Sequence, residues 1–120
     1  MAARRLVDDL VIFGRFTTFA GETEYYSLPI HVLDYEKIEI TAWRGKMPDA
    51  ADDLEITLQD SLDNTNWSTK WTLEIEETEQ SWTDTIRYPW LRVMVQGVVG
   101  GSLPIVATGY VVGRLFLRRS

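Results

Sequence analysis

Four stretches of this sequence alternate apolar and polar residues with a period of two. That periodicity belongs to strands that are dry on one face and wet on the other, because successive side chains of a strand point to opposite sides. In residues 37–44, Ile38, Ile40 and Ala42 alternate with Glu39, Thr41 and Trp43. In residues 54–61, Leu54, Ile56 and Leu58 alternate with Glu55, Thr57 and Gln59. Residues 70–76 set Trp71, Leu73 and Ile75 against Thr72, Glu74 and Glu76, and residues 90–96 set Leu91, Val93 and Val95 against Trp90, Arg92 and Met94. A helix would scatter each of these apolar sets around its circumference, so the chain is committed to sheet.

Further strand signals surround these segments. Residues 6–16 are rich in apolar and aromatic side chains, although Asp8 and Asp9 also permit a short helical turn. Residues 25–32 read as a strand in which Pro29 marks an edge or a bend. Residues 81–86 give a short strand and residues 105–117 a long one, where Gly109 and Gly113 suggest a bulge, a bend or a crossing between sheets. Residues 45–53, 63–66 and 97–104 carry the Gly, Pro, Asp and Asn chemistry of loops and turns. No three-turn helix, linker, repeat or low-complexity tract is visible. The fold expected is all-β: a two-sheet β-sandwich of jelly-roll or Greek-key type with about eight strands, a closed barrel being the alternative. A chain of 120 residues, 45% of them hydrophobic, suits one domain over residues 1–120, with residues 1–8 as an N-terminal arm.

Charge narrows the partners. The net charge of −6 argues against nucleic acid, which requires a basic face. Arg4 and Arg5 lie near one terminus and Arg114, Arg118 and Arg119 near the other, whereas residues 34–84 hold fourteen acids against Lys37, Arg44, Lys46 and Lys70. Two readings stand: acidic solubility, or basic ends that dock on an acidic partner while an acidic body faces solvent. The chain has no cysteine, which removes disulfides, thiolate metal sites and thiol nucleophiles and favours a bacterial or viral origin. No apolar run approaches the ~20 residues of a membrane span, and the basic start leads to Asp8 and Asp9 rather than to the apolar region of an export leader.

No catalytic set emerges, so no enzyme activity, catalytic residue or cofactor is expected. His31 is the single histidine, lies between Ile30 and Val32, and has no nucleophile motif beside it. The acids fall mostly on outward strand faces or in turns rather than as a pair in a cleft. Asp49, Asp52 and Asp53 cluster in one loop and Asp60, Asp63 and Asn64 in another, but neither has EF-hand spacing, and turn chemistry explains them better than calcium. Among the five tryptophans, Trp71 falls on an inward face, Trp43 and Trp90 fall on outward faces, and Trp67 and Trp82 lie near strand ends. Outward aromatics either mark contact surfaces or are covered by another part of the chain.

Residues 54–67 (LEITLQDSLDNTNW), 87–97 (RYPWLRVMVQG) and 100–104 (GGSLP) together resemble small β-sandwich structural proteins of tailed bacteriophages. The resemblance covers roughly residues 37–112 and departs from the pattern at residues 63–66, which lack the usual glycine, and in the long loop 47–53. It implies a virion structural protein on the capsid surface, made in the host cytoplasm: a decoration or cement protein that binds the major capsid protein or another virion protein and assembles as a homo-oligomer, a trimer being favoured. A tail or neck protein is the nearest variant of that reading. The contact residues expected are Arg4, Arg5 and Leu6, Arg118 and Arg119, with Trp43 and Trp90 as anchors. The same stretches also resemble discoidin-type and other carbohydrate-binding jelly rolls. There a tryptophan beside polar loops would meet a glycan in an open groove.

Overall fold

The computed structural model describes residues 9–117, and every regular element in them is a strand. In chain order these are β1 (Asp9–Ala20), β2 (Glu24–Tyr26), β3 (Ile30–His31), β4 (Tyr35–Arg44), β5 (Asp53–Ser61), β6 (Trp67–Ile75), β7 (Gln80–Thr85), β8 (Trp90–Val98) and β9 (Val106–Leu117). They form two antiparallel sheets of strand order β1-β9-β4-β7 and β2-β8-β5-β6, with β3 pairing β8 farther along the edge that β2 occupies. Counted as halves of one edge strand, β2 and β3 leave eight positions. With β2 and β3 taken as one edge strand, the chain crosses between sheets at every connection except the β5–β6 hairpin, which is the double Greek key of a jelly roll.

The four alternating segments became β4, β5, β6 and β8, and their apolar faces meet in one cluster. Ile38, Ile40, Ala42, Val111 and Leu115 of the first sheet pack against Leu54, Ile56, Leu58, Ile75, Leu91, Val93 and Val95 of the second. Each such fully buried aliphatic side chain contributes roughly 1.5–3 kcal/mol of transfer free energy. Near β6 and β7 the two layers are joined by Trp71 and Trp82, whose ring centroids lie 5.9 Å apart, and the Trp71 indole N–H donates to Asp84 at 3.0 Å.

Several local readings are corrected. Gly109 and Gly113 leave β9 in step with β4, and the irregularities of this stretch belong to β1, which carries extra residues opposite Gly109–Val112. The two glycines admit close neighbours: a Cβ on Gly113 would stand 2.6 Å from the Phe13 ring, and one on Gly109 would strike the Trp43 carbonyl. At Pro29 the edge strand breaks, and Ser27 bridges the gap. Its backbone N–H donates to the Val93 carbonyl at 2.9 Å, and its hydroxyl accepts the Val93 N–H at 2.9 Å. In β6, Leu58 pairs with Trp71 but Gln59 pairs with Thr69, so Lys70 is an extra residue. That bulge leaves Trp71, Leu73 and Ile75 facing inward while Trp67 and Thr69 share the outer face with Ser61 and Gln59. Asp60 is not a loop acid: it is fully buried at the end of β5 and receives the Arg87 guanidinium through Nε at 3.0 Å and Nη2 at 2.9 Å.

The ends of the sandwich differ. Pairing of Asp9 with Leu115 and of Tyr35 with Leu117 places the start of β1 and the finish of β9 at the end that also carries turns 62–66 and 86–89. Loops 21–23, 45–52, 76–79 and 99–105 lie at the other end.

Truncating Leu58, which is completely buried, removes atoms from the centre of this core, so Leu58→Ala is expected to cost about 3 kcal/mol in urea unfolding. Leu28→Ala, at a side chain 85% exposed, is expected to change the midpoint negligibly.

Candidate interaction surface

The outer face of the second sheet carries a continuous layer of aromatic and cationic side chains. His31 pairs with Trp90, and Ser61 pairs with both Trp90 and Trp67, so one row across the sheet reads His31, Trp90, Ser61, Trp67. The His31 and Trp90 rings meet edge to face with centroids 4.9 Å apart. Two residues along β8, Arg92 pairs with Gln59, and its Nε donates to Gln59 Oε1 at 2.7 Å. The guanidinium carbon lies 4.2 Å from the Trp67 ring centroid and 4.4 Å from that of Tyr26, a doubled cation–π contact reaching from β2 to β6.

This layer roofs the central strand. Thr57 and Ser61 point away from the core, yet they are only 4% and 1% exposed. Thr57 shares a hydrogen bond of 2.9 Å with Thr72, and Ser61 donates its hydroxyl to Asp63 at 3.1 Å. Two aromatic faces and an amide oxygen fix Arg92, so the remaining N–H groups of its fork are held in place for an incoming acceptor. Arg92 also occupies the space between the Tyr26 and Trp67 rings, where a sugar would need an open slot.

The two expected tryptophan anchors do not share a surface. Trp90 belongs to the layer just described, whereas Trp43 lies on the outer face of the opposite sheet, stacked on Tyr110 at 5.6 Å between centroids. The Tyr110 hydroxyl in turn donates to Glu79. Arg4, Arg5, Leu6, Arg118 and Arg119 lie outside the described residues, as does the expected arm 1–8. The strands that lead to them, β1 and β9, are direct neighbours.

The acidic loops are used internally. Asp49 accepts the Ala51 N–H at 2.9 Å and the Ser102 N–H at 3.1 Å, and these backbone donors, Ala51 foremost, hold its carboxyl below the ordinary range. Asp52 Oδ1 accepts the N–H groups of Gly100 and Gly101, each at 2.9 Å, while its Oδ2 is buried without a partner. These contacts latch the β4–β5 loop to the β8–β9 loop. Asp63 takes the N–H groups of Asn66 and Thr65 and the Asn66 amide, which together force its carboxyl far below its ordinary value. Among the described residues, no three histidines or carboxylates come together as a metal site.

Charge is polarised along the sandwich. Glu22 and Glu24, Asp49, Asp52 and Asp53, and Glu74, Glu76, Glu77 and Glu79 all fall toward the end away from the start of β1 and the finish of β9, with Arg44 at the last position of β4 and Lys46 in the following loop as its cations. Crowding there is direct. The Glu74 carboxyl is raised above its ordinary value, first by sharing a hydrogen bond with Asp53, then by desolvation and by the charges of Asp53 and Glu76.

Sequence reasoning found the outward placement of Trp90 but missed Tyr26, Trp67 and Arg92 as its companions. Arg92 was legible as an outward residue two positions from Trp90. Trp67 was hidden by the Lys70 bulge, and Tyr26 by the strand order that brings β2 beside β8.

No protein-family model matches the sequence, and no curated protein matches it. Solved structures share its fold. The PBSX exported protein XepA superposes with a TM-score of 0.70 at 12% identity, over 93% of this chain and 38% of XepA. A structure of infectious bursal disease virus, Gt strain, superposes at 0.54 with 8% identity, over 94% of this chain and 32% of that one. The Yersinia pseudotuberculosis-derived mitogen superposes at 0.52 with 9% identity, over 95% of this chain and 91% of the mitogen. The chain thus spans about two fifths of XepA and a third of the viral chain. These likenesses establish the β-sandwich and place phage and viral proteins among its structural neighbours.

Because Glu74 holds its proton more tightly in the fold than in the unfolded chain, it favours folding below its ordinary value of 4.5, and that contribution is lost as the pH rises through the raised value. Glu74→Gln is therefore expected to raise the urea midpoint at pH 7 and to leave it nearly unchanged at pH 4.

Proposed function

We propose that this chain is a structural protein of a phage particle, a decoration or cement subunit that docks on the assembled head shell and has no catalytic role. The observation that carries the reading is the layer of Tyr26, Arg92, Trp67, Trp90 and His31, which presents large rings and a fixed guanidinium across the outer face of one sheet. Such residues dominate the energetics of protein interfaces because they bury much area with few torsions to freeze. The likeness to XepA and to a viral structure supports the same class. The charge distribution supports an orientation. The layer occupies the half of its sheet at the end where β1 starts and β9 finishes in the opposite sheet, the two strands that Arg4, Arg5, Arg118 and Arg119 flank in sequence, and the acidic end is left toward solvent. An acidic patch of the major capsid protein is the partner chemistry this arrangement suits, with several weak contacts multiplied over a repeating shell.

The glycan reading is weaker on this geometry, because Arg92 fills the space between two of the rings. Co-sedimentation with head shells assembled without this chain tests the proposal. The wild type is expected to pellet with the shells, and W90A/R92A is expected to bind at least tenfold less tightly, whereas W43A on the opposite sheet changes little. Undiminished binding by W90A/R92A, or saturable glycan binding by the isolated monomer, would overturn it.

A further inference from the structure

The two sheets have four edges, and three of them are blunted against pairing with a foreign strand. β1 loses step with β9 twice, between Ile12 and Gly14 and between Gly14 and Thr17. The β2–β3 edge is broken at Pro29, with the Ser27 hydroxyl standing in for a ladder carbonyl. β6 carries the Lys70 bulge. β7 has none of these devices. Gln80–Thr85 contains no proline, glycine or lysine and pairs with β4 residue for residue, from Ala42 with Gln80 to Lys37 with Thr85. Among the described residues, no strand pairs with its outer side. The Lys70 ammonium takes the Thr85 carbonyl at 2.5 Å and the Asp84 carboxylate at 3.4 Å and so closes that end, leaving residues 80–83 as a regular, open template.

We propose that this open edge receives residues 1–8 of a second copy of the chain by strand addition, an inference that rests on the homo-oligomeric form of the decoration reading. The segment precedes β1, the strand at the opposite edge of the same sheet. Copies arranged with the β1 side of one facing the β7 side of the next would therefore carry it directly to its target. Eight extended residues span about 26 Å, enough to run the roughly 20 Å length of a six-residue edge. To reach its own β7, the segment would have to double back across β9 and β4. Charge favours the match as well: Arg4 and Arg5 would meet an edge entered from Glu76, Glu77 and Glu79. Unlike edges in contact make a heterologous interface, which closes into a ring such as a trimer when the rotation per copy allows it.

Light-scattering mass across a concentration series tests this with the full chain, a variant lacking residues 1–8, R4E/R5E, and Thr83→Lys. Thr83 is exposed on β7, so its lysine sets a cation against the incoming arginines without touching the core. Far-UV circular dichroism and the urea midpoint confirm that each variant is folded. The full chain is expected to be a discrete oligomer, the deletion a monomer, and R4E/R5E and Thr83→Lys to associate at least tenfold more weakly. A monomeric full chain, or an oligomer that survives both the deletion and Thr83→Lys, would overturn the proposal. Shell binding separates the two inferences. A monomeric full chain that still binds shells sinks strand addition alone, whereas an arm-dependent oligomer that ignores shells supports strand addition and sinks the decoration reading.

Discussion

Everything in this molecule follows from the contact between two sheets that can each hide only one face. Ile40 of the first sheet and Leu54, Ile56 and Leu58 of the second are completely buried at that contact, and it accounts for the alternation along every central strand. Small residues are placed where a larger one would push the layers or strands apart, as at Gly113 beneath the Phe13 ring. Apart from a cavity between the sheets lined by Phe13, Phe19, Tyr25 and Val93, the inner faces are consumed by packing, so most of what the chain offers to other molecules comes from outer faces, edges and ends.

The outer faces are not equivalent. On the second sheet, side chains from β2, β8 and β6 close over β5 so completely that its outward Thr57 and Ser61 are as dry as core residues. A roof built from tyrosine, tryptophan and a guanidinium is both a shield and a contact surface, because the rings keep one side for the sheet and expose the other. The acids are divided by task. Asp49, Asp52 and Asp63 tie loops and a turn through backbone N–H groups, Asp60 neutralises Arg87 at the end of β5, and the glutamates of the β6–β7 connection crowd one end. The structure thereby turns a sequence with basic termini and an acidic middle into a sandwich with chemically distinct ends.

Most of the architecture was legible in the sequence because period-two alternation reports directly which face of a strand is buried. The strands β4, β5, β6 and β8 sit where the alternation places them, within a few residues at each end, and Pro29 correctly marked an edge. What escaped was everything that depends on partners distant in sequence. Gly109 and Gly113 suggest a bend until it is known that Trp43 and Phe13 press against them. Asp60 looks like a turn acid until Arg87 is seen to reach it from 27 residues away. Trp43 and Trp90 look like one pair of anchors until the strand order sends them to opposite faces. The Lys70 bulge is the sharpest case: one extra residue in β6 moves Trp67 from the face its neighbours predict to the face where Arg92 lies on it.

The central claim is that one sheet's aromatic roof, at the half nearer the start of β1 and the finish of β9, is the surface that meets the particle. Hydrogen–deuterium exchange of the chain free and bound to head shells reads this directly. The account predicts slowed exchange on binding in residues 26–31, 59–67 and 90–94, with the acidic loops 46–52 and 76–79 unchanged. Protection confined to those acidic loops, with the roof strands exchanging as in the free protein, would contradict it.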